Sequence, residues 1–278
     1  GSQGLVFAFA EDQPPLSVLD GGEEQFFITL RMTNEGEYTI PTGGVIASLS
    51  GIVKDSFKIV SMDKKSDVEI VGKSKEAGTA IPGGEELLEF GSASFQAKLP
   101  GSTSFTLRTD VCYNYQTLAV AKICLKKNVL QKEVGQVCDT SAATVPAENS
   151  GAPMHIANAR QSTVGTSKVR VTFQITNDGQ GQVYSADTFK TSCVGMEDKA
   201  AFVDVKVSNP DNNYKIECSQ LGNRDSGTVK LITNKKDVSC TVDTSGLPET
   251  TVQDIFIIEL NYQYREAIAT ALAVTNVR

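Results

Sequence analysis

The chain says nearly the same thing twice, and this repetition limits its fold more than any other feature. Residues 111–125 and 260–274 match along their length: Tyr113 and Tyr115 fall on Tyr262 and Tyr264, and Ile123 and Leu125 fall on Leu272 and Val274. Upstream, residues 28–36 and 171–179 match in the same order. Each of these segments closes on an Asn-x-Gly turn, Asn34 with Gly36 and Asn177 with Gly179. A pattern that recurs in order at about half the chain length predicts two copies of one module in tandem. At 278 residues there is room for two domains of ordinary size, each able to bury its own core.

The modules read as β structure. Short runs of β-branched and aromatic residues are separated by Gly, Pro, Asn and Asp, and no 3.6-residue periodicity is sustained. Strands are expected at 5–10, 16–19, 25–33, 45–50, 57–61, 87–95, 104–115 and 118–125. The second copy repeats much of the series at 168–176, 201–207, 228–232, 239–242, 254–264 and 267–274. The break near Leu118 is read as a hairpin turn. Short strands with regular turns predict an all-β sandwich architecture. Residues 140–152, rich in Ser, Ala, Thr and Pro, read as a linker between modules at 1–139 and 153–278.

Six cysteines without CxxC spacing, beside one histidine, suit disulfides better than metal or redox chemistry. They predict an oxidising setting, extracellular or at a cell surface. Cys112 and Cys124 align with Asn261 and Ala273, so the second copy lacks both together, as expected if they bond across the hairpin. Cys218 and Cys240 flank a turn within the second module and form the second expected pair. Cys138 and Cys193 would then tie the modules together, with Cys124 to Cys138 as the competing short-loop pairing.

A net charge of −7 with scattered Lys and Arg argues against nucleic acid or an anionic lipid surface as partner. No apolar run of about eighteen residues is present to span a bilayer. The first ten residues are too short and lack the basic start of a signal peptide, so any leader or anchor is expected to have been removed. With His155 as the single histidine, a two-histidine metal site is excluded. No nucleophile elbow, phosphate loop or HExxH helix occurs. The adjacent acids Glu23 and Glu24, like Glu85 and Glu86, point to opposite faces of an extended chain and cannot flank one glycosidic bond. Asp211, Asn212 and Asn213 are rich in oxygen but lack the spacing of a calcium loop, and read as a turn after Pro210. A non-catalytic protein with no cofactor or metal is expected.

Tyr113 with Tyr115, and Tyr262 with Tyr264, occupy alternate positions and share a face. Such a row can stack on a sugar or a partner protein, which gives a carbohydrate-binding alternative; core packing is the reading that the repetition favours. Leu5, Val6, Phe7 and Phe9 form a segment apolar on both faces. It suits a strand in its own sheet, the favoured reading, or insertion into a neighbouring subunit to build a filament. The Asn-x-Gly strand ends, the turn at Pro82, Gly83, Gly84 and Glu85, and the Tyr-x-Tyr hairpin together resemble the CARDB-like branch of immunoglobulin-like domains. They are also similar to tandem modules of envelope-anchored archaeal surface proteins. The resemblance implies two tandem immunoglobulin-like β-sandwich domains in an extracellular array and carries over no catalytic residue. The expected function is a structural or adhesive surface protein whose partner is a second copy, another surface protein or a polysaccharide.

Overall fold

The computed structural model describes residues 1–277. Its strands in the first half are β1 (Leu5–Phe9), β2 (Ser17–Leu19), β3 (Phe26–Asn34), β4 (Val45–Ser50), β5 (Asp63–Lys65), β6 (Ser74–Glu76), β7 (Thr79–Ile81), β8 (Glu85–Ala93) and β9 (Thr103–Leu125). The second half adds β10 (Ala147–Asn149), β11 (Met154–Val164), β12 (Lys168–Asn177), β13 (Gln182–Ser185), β14 (Phe202–Ser208), β15 (Ile216–Cys218), β16 (Ser226–Lys230), β17 (Lys235–Asp243) and β18 (Val252–Thr275). The only helical turns among the described residues are the 3-10 segments Glu197–Lys199 and Ser219–Leu221. The architecture is all-β.

Alternation of apolar and polar residues builds two matching sheets. Phe26, Ile28, Leu30 and Met32 of β3 turn inward, as do Val169, Val171, Phe173 and Ile175 of β12, while Phe27 and Arg31, or Lys168 and Arg170, face solvent. β1, β3 and β8 form one sheet, and β11, β12, β17 and β15 form the other. Their registers correspond. Leu5 faces Asn34 as Met154 faces Asn177, and Thr33 faces Glu85 as Thr176 faces Lys235.

A nine-stranded sheet runs through both halves in the order β16, β14, β18, β9, β4, β5, with β10 against β9 and with β13 and β2 against β18. Its spine is one uninterrupted antiparallel pairing, from Thr103 opposite Val274 to Leu125 opposite Val252. The hairpin expected near Leu118 is therefore absent, and so is the break expected between Tyr264 and Ala267. The physical reason is legible afterwards. Gln116, Thr117, Leu118 and Ala119 include no residue that presets a tight turn, and neither do Arg265 and Glu266. The segment 57–61, also expected as a strand, is a turn with Lys58 at positive φ and Phe57 buried edge-on against Phe26, Phe95 and Phe105.

The long pairing has a local two-fold relation. Tyr113 faces Tyr264, Tyr115 faces Tyr262, and Asn114 faces Gln263 at the centre. Past this point each strand enters the other half. The end of β9 pairs with β10 and reaches β11, where Cys124 N donates to Gln161 Oε1 at 3.0 Å. The end of β18 lies parallel to β2, and Asp20 N donates to Thr275 O at 3.0 Å. The two halves thus exchange the ends of their longest strands, a self-complementary arrangement of the kind that relates the subunits of a two-fold dimer.

Three disulfides form: Cys112–Cys193, Cys124–Cys138 and Cys218–Cys240. The last is the expected pair and the second is the competing one. The expected Cys112–Cys124 and Cys138–Cys193 bonds are overturned by the missing hairpin. On one straight strand Cys112 and Cys124 stand roughly 40 Å apart, at about 3.3 Å per residue. The segment 140–152 is not a free linker either. Val145 is buried, Thr140 Oγ1 donates to Val129 O at 2.9 Å, and β10 sits in the sheet. Leu5, Val6, Phe7 and Phe9 belong to β1, paired with β3 of the same chain.

Candidate functional site

The exchange point concentrates the molecule's least ordinary chemistry. Tyr113, Tyr115, Tyr262 and Tyr264 lie on the inner face of the long pair, each 2% exposed or less. Their rings meet at centroid distances of 5.6 Å (Tyr113 with Tyr115), 5.9 Å (Tyr113 with Tyr264) and 6.3 Å (Tyr115 with Tyr262). Burial holds all four phenols above their ordinary pKa, so they stay uncharged. The row is core, the reading that the repetition favours, and the alternative of an exposed aromatic binding face is not met, because all four rings are buried.

The outer tyrosine of each pair makes the same lock. Tyr115 Oη donates to Asn34 Oδ1 at 2.9 Å, and Tyr264 Oη donates to Asn177 Oδ1 at 2.8 Å. Each asparagine amide spans its own turn, Asn34 Nδ2 to Tyr38 O at 2.7 Å and Asn177 Nδ2 to Gly181 O at 2.9 Å. A Cβ on Gly36 or Gly179 would overlap the tyrosine hydroxyl. The two repeated signatures, Asn-x-Gly and Tyr-x-Tyr, are therefore the two sides of one contact.

The opposite face is stapled. The side chain of Gln263 exchanges hydrogen bonds with the backbone of Phe189, at 2.6 and 3.0 Å, and also donates to Asn114 Oδ1 at 3.0 Å. The Arg265 guanidinium lies 5.1 Å from the Tyr184 ring centre and 5.7 Å from that of Phe189. Cys193, in the same covering segment, bonds to Cys112, and its N–H donates to Ser48 Oγ at 2.8 Å.

The inner tyrosines differ. Tyr262 Oη meets Thr117 Oγ1 at 2.9 Å, and that hydroxyl donates to Met154 O at 2.8 Å, closing a buried chain. At the corresponding position of the other half stands Glu266, beside Tyr113. The Tyr113 hydroxyl is buried without a hydrogen-bond partner and lies against Gly4, where a Cβ would come within 2.9 Å of it. A cavity of about 550 Å³ opens there, bounded by the N-terminal residues through Phe7, by Tyr113, Tyr264 and Glu266, and by Asp178. Burial raises the Glu266 carboxyl above the ordinary glutamate value, partly offset by the neighbouring Tyr113 hydroxyl. At the rim His155 Nδ1 meets Asp178 Oδ2 at 2.7 Å and its Nε2 lies 3.2 Å from Gly1 O, so the lone histidine is engaged on both nitrogens.

No family model and no curated protein matches the chain. Among solved structures, the envelope protein VP37 from White Spot Syndrome Virus overlaps 55% of this chain and 98% of its own, at 11% identity and a TM-score of 0.25. The secreted serine protease VesC from Vibrio cholerae overlaps 93% of this chain and 50% of its own, at 11% identity and a TM-score of 0.21. The adhesion glycoprotein Srr1 from Streptococcus agalactiae overlaps 99% and 97%, at 10% identity and a TM-score of 0.19. Scores this low carry no argument.

The other singled-out residues stay apart from this site. Asp211, Asn212 and Asn213 form a turn in which Asn209 Oδ1 accepts from Asn213 N at 2.9 Å. Cys124–Cys138 joins the end of β9 to the segment that follows it, and Cys218–Cys240 lies in the second half. Sequence reasoning missed Glu266 and Thr117, although the repeat alignment pairs them two residues past the second tyrosine of each copy. No helix among the described residues is long and apolar enough to cross a membrane. The three disulfides fit a setting outside the reducing cytoplasm.

Proposed function

We propose that the chain is a non-catalytic structural or adhesive protein of the cell exterior, built from two copies of one sandwich-like module locked together as a single stiff unit. The observation that carries this reading is the continuous register between β9 and β18, by which each half completes the sheet of the other. Two ordinary tandem domains would move about a linker. Here motion between the halves would require breaking the central pairing, the four-tyrosine core and the Cys112–Cys193 bond. Such a unit suits load-bearing or spacing between surfaces. The resemblance to CARDB-like surface modules belongs to this proposal, on the Asn-x-Gly and Tyr-x-Tyr signatures. A filament built by donating residues 5–9 has less support, because β1 already fills its own sheet, and a tyrosine platform for polysaccharide has none.

Calorimetry combined with negative-stain electron microscopy tests the proposal. One unfolding transition and compact, uniform particles are expected. Two separable transitions, or particles with two lobes at variable angles, would remove the stiff-unit reading. Regular fibres would restore the filament.

A further inference from the structure

We infer that the first half carries an open slot, between β1 and the end of β18, that takes up an extended segment of a partner protein by strand addition. In the second half the corresponding slot is filled by the chain itself. Residues 143–150 run between β11 and β9 and join the two sheets. On the β11 side Val145 N donates to Ala159 O at 3.0 Å, and Ile156 N donates to Asn149 Oδ1 at 2.7 Å. On the β9 side Ser150 N donates to Leu118 O at 2.8 Å, and in the same register Glu148 stands opposite Val120. Ala119, Ala121 and Ile156 are buried beneath this cover.

The repeat carries Leu118 to Ala121 onto Ala267 to Thr270, and the matching registers of β1 and β11 carry Ile156 onto Phe7. Between these two edges lies the cavity of about 550 Å³, lined by Leu5 and Phe7 on one side and by Ala267 and Ile268 on the other. Ala273 N donates to Leu16 O and Thr275 O accepts from Asp20 N, so the odd-numbered residues at this end of β18 turn their backbone groups away from β9. Of these, Ala267, Ala269 and Ala271 are exposed and have no backbone partner among the described residues. On β1, Glu35 N donates to Gly4 O and Ala10 N to Thr29 O, which leaves the amide and carbonyl of Phe7 directed away from β3, again without a partner among the described residues. Phe7, Ile268 and Thr270 are only partly buried, where their counterparts Ile156, Ala119 and Ala121 are covered. Two unpaired edges over a partly apolar floor are a template for an added strand. The filled slot also states the chemistry of the occupant. Val145 and Ala147 pack inward while Thr144, Pro146 and Glu148 are exposed, so the segment is extended, with small apolar residues at alternate positions. The inference goes beyond the structural role proposed above and does not depend on it.

The test titrates a synthetic peptide of residues 143–150, acetylated and amidated at its ends, into the 278-residue chain and follows amide hydrogen exchange. Saturable binding is expected, with exchange at Phe7, Ala267 and Ala269 slowed about tenfold or more at saturation. The same peptide N-methylated at Val145 and Glu148 loses a donor toward each edge and should bind about tenfold more weakly. A peptide carrying Val145→Asp and Ala147→Asp, which turns charge toward the floor, should not bind. Absence of saturable binding would overturn the inference, as would equal affinity of the N-methylated peptide or binding by the aspartate form. Changes centred on Val120 and Ala159 in place of Ala269 and Phe7 would mean that the peptide displaces the chain's own residues 143–150, and would overturn it as well. Every arm uses the unaltered protein, so the outcome does not depend on the folding of a variant.

Discussion

The two ends of the β9–β18 crossing carry the same tyrosines and differ in the residue that stands beside the inner one. Around Tyr262 every polar atom is matched through Thr117 and Met154; around Tyr113 the matching residue is Glu266, the hydroxyl is unpaired and a cavity remains. The outer locks, by contrast, are alike to within 0.1 Å in their tyrosine–asparagine distances, 2.9 and 2.8 Å. The contacts that hold the crossing closed are therefore duplicated, and the difference falls beside them. What the pair teaches is that an inner tyrosine can be freed of its partner without loosening the lock next to it.

That separation can be broken most forcefully at the locks themselves. Tyr115→Ala and Tyr264→Ala each remove a buried ring and the hydrogen bond it donates to an asparagine oxygen, and each should cost about 3–5 kcal/mol in urea denaturation. The two values should agree within about 1 kcal/mol. A much smaller loss at Tyr264 would show that the cavity end has already relaxed. Next in size come the disulfides. Replacing Cys112 and Cys193 by Ala removes a crosslink between residues 81 apart, against 14 for Cys124 and Cys138. The chain-entropy relation gives about 4.5 and about 3 kcal/mol respectively. Denaturant midpoints of the two double variants measure the gap. If the Cys112–Cys193 variant is the more stable of the two, the staple across the exchange is not a principal restraint.

How far the sequence foretold this molecule depends on the kind of signal. Strands bounded by Gly, Asn or Pro were legible, because local turn chemistry marks them: β4 was expected at its observed limits, and β3 and β12 to within a residue or so. β11 was missed, since its residues His155, Asn158, Arg160 and Gln161 interrupt any apolar alternation. The long strands were misread as hairpins because chains seldom run straight for 23 or 24 residues, and the expected turn rested on cysteine arithmetic rather than on any turn residue. Disulfide topology followed that error. The meaning of Asn-x-Gly and Tyr-x-Tyr was illegible for a deeper reason. Each signature is local, while the hydrogen bond between them spans 81 residues in one half and 87 in the other.

A finer pair of substitutions sharpens the comparison at the inner tyrosines. Tyr262→Phe deletes a hydroxyl that is bonded to Thr117 and should cost about 1 kcal/mol. Tyr113→Phe deletes one that is not bonded, and should leave thermal stability unchanged or slightly raised. Equal losses at the two positions would mean that Tyr113 Oη has a partner in solution, such as an ordered water.

The smallest expected effect is the pH dependence introduced by Glu266. Its carboxyl is raised above the reference value of 4.5 in the folded chain, so the folded state holds that proton more tightly than the unfolded state does. Stability from this source is present in full below the ordinary glutamate range. It is lost as pH climbs from that range through the raised value, because the unfolded chain gives up its proton first. Asp20, Asp139 and Asp243 are shifted the opposite way by backbone and side-chain hydrogen bonds to the carboxylate, and they weaken the fold as pH falls. They are common to the unaltered protein and to Glu266→Thr, so their contribution cancels when the two are subtracted. The difference in unfolding free energy between Glu266→Thr and the unaltered chain should therefore grow as pH rises above 4.5 and then level off. A flat difference across that window would place Glu266 in ordinary solvent, and would leave the Tyr113 end of the crossing distinguished by its unpaired hydroxyl alone.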